Sequence, residues 1–239
     1  MSTENCLIEV KDLSVAFRSD GRETLAVDRI SFDIRRGETV ALVGESGSGK
    51  SVSALSIMQL LPYPQASHPS GEIMFEGRNL VGADERTMRS IRGNRITMVF
   101  QEPMTSLNPL HTIERQVGEV LSLHKGLRGP AIRARVIELL KKVGIHDPET
   151  RLGAYPHQLS GGQRQRVVTA IAAALEPRLI LADEPTTALD ATARGGVIAL
   201  LAGLAREGGA GLVFVTHDLA AVAGIADRIL FMNAGEIVE

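Results

Sequence analysis

The spacing of apolar residues changes several times along the chain. Leu7–Phe17 and Leu25–Ile34 contain apolar alternation, the pattern of strands with one covered face, and Ser19-Asp20-Gly21 between them predicts a turn. Thr39–Val43 (TVALV) is a short unbroken apolar run ending at Gly44, as a parallel strand covered on both faces requires. Ser51–Leu61 then reads as a helix closed by Pro62 and Pro64, and Glu72–Phe75 and Ile96–Phe100 read as strands. From Thr112 to Lys142 the pattern is helical with a break at Gly126–Pro130, and Gly161–Leu175 is an Ala-rich helix stopped by Pro177. Strand-like runs return at Leu179–Ala182 and Leu212–Thr216, with a helix near Ala191–Arg206 between them, and Gly235–Glu239 falls in or just after a last strand. Buried strands alternating with helices predict an α/β domain on a parallel sheet. The helical stretch between Gln101 and Ser160 looks like an insertion into it.

Composition narrows the classes of function. At 239 residues, with 44% hydrophobic and 23% charged positions, the chain is long and apolar enough to bury a substantial core. Net charge is −2 and aromatics are 3% with no Trp, which argues against a nucleic-acid partner and against base-stacking surfaces. The single cysteine, Cys6, excludes a disulfide framework within the chain or a cysteine-rich metal site. No apolar run approaches the ~18 residues that cross a bilayer. Met1–Asn5 lacks a signal-peptide pattern, so a cytosolic setting is the expectation.

The candidate chemistry begins at Gly44-Glu45-Ser46-Gly47-Ser48-Gly49-Lys50-Ser51, which matches G-x-x-x-x-G-K-[ST] between a strand and a helix. Its glycines let backbone N–H groups curl around an oxyanion, and the following helix directs its positive dipole end at the phosphates. Lys50 adds a full charge against the β/γ-phosphates, and the Ser51 hydroxyl is a ligand for Mg²⁺. A second candidate is the apolar strand Leu179–Ala182 with its terminal carboxylates Asp183 and Glu184. Asp183 is expected to hold Mg²⁺ directly or through water, and Glu184 to polarise the attacking water as general base.

Leu159-Ser160-Gly161-Gly162-Gln163 is an LSGGQ stretch. With the phosphate loop and the Asp183-Glu184 strand, the sequence resembles the ATP-binding cassette (ABC) ATPases over essentially its whole length. That resemblance implies a P-loop NTPase fold: a RecA-like parallel-sheet core over residues 1–101 and 165–239, an N-terminal antiparallel β region, and a helical subdomain over 102–164. It implies that Gln101 is the glutamine that senses Mg²⁺ and the γ-phosphate, that His217 is the switch histidine on the γ-phosphate, and that Phe17 stacks on adenine, where a Tyr is commoner. Ala188-Leu189-Asp190 corresponds to the D-loop. Ser160, Gly161, Gly162 and Gln163 would cap ATP held by a second cassette, since cassettes of this family pair head to tail. ATP and Mg²⁺ are the implied ligands.

The stretch Phe100–Pro109 (FQEPMTSLNP) is similar to that of oligopeptide and dipeptide importer ATPases, and Tyr155-Pro156-His157-Gln158 and Glu184–Asp190 agree. Leu60–Pro64 through His68–Glu72 resembles the first half of the fused two-cassette ATPase of microcin C-type peptide importers. This implies one cassette of a longer chain at the cytoplasmic face of the membrane. Its partners would be transmembrane permease subunits and, indirectly, a peptide-binding protein. Met104–His111 is expected to form part of the groove for a membrane-domain helix. The alternatives are a regulatory cassette with weak hydrolysis and a repair- or chromosome-type ATPase, although the latter's long heptads and zinc modules have no counterpart here. His68, His111, His124, His146 and His157 lack metal-ligand spacing, Cys6 reads as an inert thiol, and Arg133, Arg135, Lys141 and Lys142 as a solvated basic face.

Overall fold

The computed structural model describes residues 5–19, 21–101, 106–186 and 191–239, with only the backbone at 191–193. Two long strands, β1 (Cys6–Ser19) and β2 (Arg22–Arg35), pair antiparallel, and β4 (Ala66–Phe75) and β5 (Arg78–Asn79) extend them into a four-stranded sheet ordered β2-β1-β4-β5. A second sheet is ordered β10-β9-β3-β8-β7-β6, from β3 (Thr39–Val43), β6 (Ile96–Val99), β7 (Leu179–Asp183), β8 (Gly211–Thr216), β9 (Arg228–Asn233) and β10 (Glu236–Ile237). It is parallel except for β10, which runs against β9.

The unbroken apolar runs follow from burial on both faces. In β3, Val40 and Leu42 join the core shared with the antiparallel sheet, α1 (Lys50–Met58) and α2 (Glu85–Ile91), whereas Ala41 and Val43 join the core under the helices. Leu179 and Leu181 of β7 divide from Ile180 and Ala182 in the same way, and Val213 and Val215 of β8 from Leu212 and Phe214. Each strand therefore supplies both cores by alternation.

The helical layer consists of α3 (Ile113–Lys125), α4 (Pro130–Lys142), the short α5 (Pro148–Arg151), α6 (Gly161–Ala173) and α7 (Ala191–Gly208). The break expected at Gly126–Pro130 is real: Gly126 ends α3 in a left-handed conformation, and Pro130 opens α4 at a position where its missing N–H costs nothing. The boundary expected at 164/165 lies inside α6, which is continuous and packs on α3 and α4 as well as on β6 and α7.

Four elements were not foreseen. One is α2, begun by Asp84, whose carboxylate accepts the Thr87 N–H at 2.8 Å. The others are the two-residue β5, β9 and the four-residue α8 (Leu219–Val222).

Candidate functional site

The ends of β3, β7 and β8 converge on one place. Gly44 follows β3 directly, and a Cβ there would stand 2.1 Å from the Met232 carbonyl oxygen of β9, so only glycine fits. Gly49 has φ 103°, and a Cβ would lie 2.7 Å from the Ala26 carbonyl. The Gly235 N–H donates to the Ser48 carbonyl at 3.0 Å, so the β9–β10 turn buttresses the loop. Sequence reading missed this support from Met232 and Gly235, and no local motif marks it.

Within the loop, the buried Lys50 ammonium donates to the carbonyls of Gly44 (2.8 Å) and Glu45 (2.6 Å). Burial lowers its pKa, opposed by the nearby charges of Glu184 and Asp183. The Ser51 hydroxyl donates to Asp183 Oδ1 at 2.8 Å across 132 residues of sequence. Burial raises the Asp183 pKa, and the neighbouring charge of Glu184 adds to that, while the Ser51 hydrogen bond and Lys50 pull it down. A buried carboxylate and a hydroxyl side by side are hard oxygen donors suited to Mg²⁺, and a cation beside Asp183 would offset the desolvation of its charge.

Glu184 lies one residue beyond β7 in a left-handed conformation (φ 43°), with its N–H donated to the Val215 carbonyl at 2.9 Å. Its carboxylate is bracketed: Gln101 Nε2 donates to Oε2 at 3.0 Å, and His217 Nδ1 lies 3.0 Å from Oε1. Positions 101, 184 and 217, far apart in sequence, thus meet at one carboxylate.

The LSGGQ segment forms a separate feature. Ser160 caps α6, its hydroxyl accepting the Gln163 N–H at 3.3 Å while Gln163 Oε1 accepts the Ser160 N–H at 3.1 Å. A 3-10 turn at Pro156–Gln158 precedes it, with Tyr155 and His157 stacked and Arg164 Nε bonded to the Pro156 carbonyl at 2.6 Å. Phe17 stands half-buried in β1, opposite Thr24 and Ala66. Asp190 and the neighbouring 187–189 lie outside the described residues, as do 102–105. Of the expected groove region, Leu107 is buried, Leu110 is exposed, and the Gln116 side chain holds Asn108 and His111 by three hydrogen bonds. Among the described residues, no three His, Cys, Asp or Glu side chains gather as metal ligands.

The sequence profile of the ABC transporter family matches residues 27–187, more than half of the chain. The chain belongs to this family. A curated relative from Agrobacterium fabrum, peptidoglycan transport ATP-binding protein YejF, is 59% identical over 98% of this cassette and 43% of its own length. Oligopeptide transport ATP-binding protein OppD of Bacillus subtilis is 48% identical over 98% of the cassette and 65% of its own length. The cassette therefore spans less than half of the first relative and about two thirds of the second. The ATP-binding cassette MJ0796, solved as a dimer in a post-hydrolysis state with ADP and Pi, superposes with a TM-score of 0.85 at 32% identity, covering 97% of both chains. The α/β cassette fold, with its parallel sheet and N-terminal antiparallel sheet, agrees with the sequence expectation.

Proposed function

We propose that this cassette binds Mg-ATP and hydrolyses it to energise import of peptides through an ABC transporter. The observation that carries the reading is the Glu184 carboxylate held between Gln101 and His217, beside the Ser51–Asp183 pair and the Lys50 loop. Gly44–Ser51 cradles the phosphates, and Lys50 exchanges its loop carbonyls for phosphate oxygens. Ser51, Asp183 and Gln101 would hold Mg²⁺, which would supply charge neutralisation at the phosphates. Glu184 orients and deprotonates the attacking water. His217, with Nδ1 engaged by Glu184, turns its other ring nitrogen to the γ-phosphate. Positioning and preorganised charge supply most of the acceleration. Phe17 stacks on adenine.

Ser160–Gln163 caps the nucleotide of a second cassette, from the same longer chain or a second copy, and Asp190 contributes to that junction. Residues 102–164 form the helical part that meets the permease at the cytoplasmic face of the membrane. The name of OppD supports an oligopeptide cargo, and that of YejF a peptidoglycan-type one. A separate binding protein delivers the cargo.

Calorimetry with ATP tests the reading. Wild type binds ATP in a Mg²⁺-dependent manner, and Glu184→Gln retains that binding while steady-state hydrolysis falls by about 10²–10⁴-fold. Absence of Mg²⁺-dependent affinity for adenine nucleotides overturns the reading. Undiminished turnover in Glu184→Gln overturns the base assignment.

A further inference from the structure

The side chain of His217 is 60% exposed, so contact with the core does not set its position. Its place must come from the backbone on either side. Upstream stands Thr216, the last residue of β8. Downstream stands Asp218, whose N–H donates to Thr216 Oγ1 at 3.0 Å and whose carboxylate is used twice. Oδ1 accepts the Ala221 N–H at 3.1 Å and caps α8, and Oδ2 accepts from Arg194 Nη1 at 3.0 Å. A four-residue helix cannot hold a loop by itself, because so short a helix barely outlasts its nucleation cost. Val222 anchors the far end of this helix in the core, and Arg194, in the first turn of the 18-residue α7, supplies a polar link from its near end, beside His217, to that long element.

The geometry points to Arg194 as a positioning residue for His217. Through Asp218 it fixes the segment that carries the imidazole, and so keeps Nδ1 on Glu184. The inference rests on the reading of His217 given above, but its test needs no nucleotide. Arginine suits the role because its planar fork loses little freedom per hydrogen bond formed.

The test is side-chain NMR of the ligand-free chain labelled with ¹⁵N-histidine, with the His217 signal assigned by its disappearance in His217→Gln. Wild type shows a hydrogen-bonded Nδ1. Arg194→Ala loses that signature, and the signal moves to the position of solvent-exposed imidazole. Arg194→Lys, which keeps a charged donor, restores it. Asp218→Asn retains an oxygen to cap α8 while removing the charge, so it separates the pin from the cap and decides the matter if Arg194→Ala does not fold. It too loses the signature. A His217 signal unchanged in the folded variants, with only the melting temperature lowered, makes Arg194 merely structural and overturns the inference, as does a wild-type signal without the hydrogen bond. Failure of wild type to bind ATP is a separate result that strikes the nucleotide reading and leaves this measurement standing.

Discussion

Two helix N-termini in this molecule follow glycine-containing loops, and they are built in opposite ways. α1 begins at Gly49, which has no side chain to cap the helix, and Ser48 and Lys50 beside it are buried. α6 begins at Ser160, which closes a reciprocal capping box with Gln163 on the surface. The first N–H groups of any helix lack intrahelical acceptors. At α1 no side chain caps the helix, so the loop has the form an anion site requires, and it is held from behind by Met232 and Gly235. At α6 the box satisfies two donors internally, and the first-turn amides of Gly161 and Gly162 have no acceptor within the helix. One end is shaped to enclose a ligand, whereas the other satisfies part of its own needs with its capping box.

The largest expected effect breaks the rigid end. Gly49→Ala forces an L residue to φ 103° and drives a Cβ to 2.7 Å from a backbone carbonyl that cannot swing aside. Strain and overpacking together cost about 2–4 kcal/mol, read as a lowered urea midpoint with ATP binding lost. An unchanged midpoint would show that the loop is not held by close packing. Next is Lys50→Ala. Loss of a charge-assisted contact to phosphate is worth about 1.5–3 kcal/mol, or ~10–150-fold in the Kd for ATP by calorimetry. Stability changes less, because the same substitution removes a buried ammonium whose pKa burial already lowers. An unaltered Kd removes the lysine from the phosphate site.

Legibility in the sequence divides along the same line. The phosphate loop, β3, β7, β8 and α6 were readable because their signals are local: unbroken apolar runs, glycines at fixed spacing, an Ala-rich helical run stopped by a proline. α2 was hidden because only Met88 and Ile91 of its seven residues are buried, too few to set a period. The support from Met232 and the pin from Arg194 to Asp218 depend on long-range packing, which no spacing records. The basic face of α4 is more specific than a solvated surface. Arg133 pairs with Glu114, Arg135 with Glu138 and Glu176, Lys141 with Glu149, and Lys142 with Glu207. As exposed pairs these contribute little each.

The smallest effect sharpens the contrast at the self-capped end. Ser160→Ala removes the hydroxyl that accepts the Gln163 N–H, a loss of about 0.5–2 kcal/mol for an N-cap. The Gln163 side chain still reaches the Ser160-position N–H, so half of the box survives and the low end of that range is expected in urea denaturation. Binding of ATP to the chain's own phosphate loop is unchanged, because among the described residues that loop is held by β2, β7 and the β9–β10 turn and by no hydrogen bond from α6. Hydrolysis by the paired protein falls, since a frayed helix start presents its free amides poorly to the partner's nucleotide. If instead the affinity of the isolated chain for ATP drops with Ser160→Ala, the two N-termini are not independent, and the division between an enclosing end and a presenting end fails.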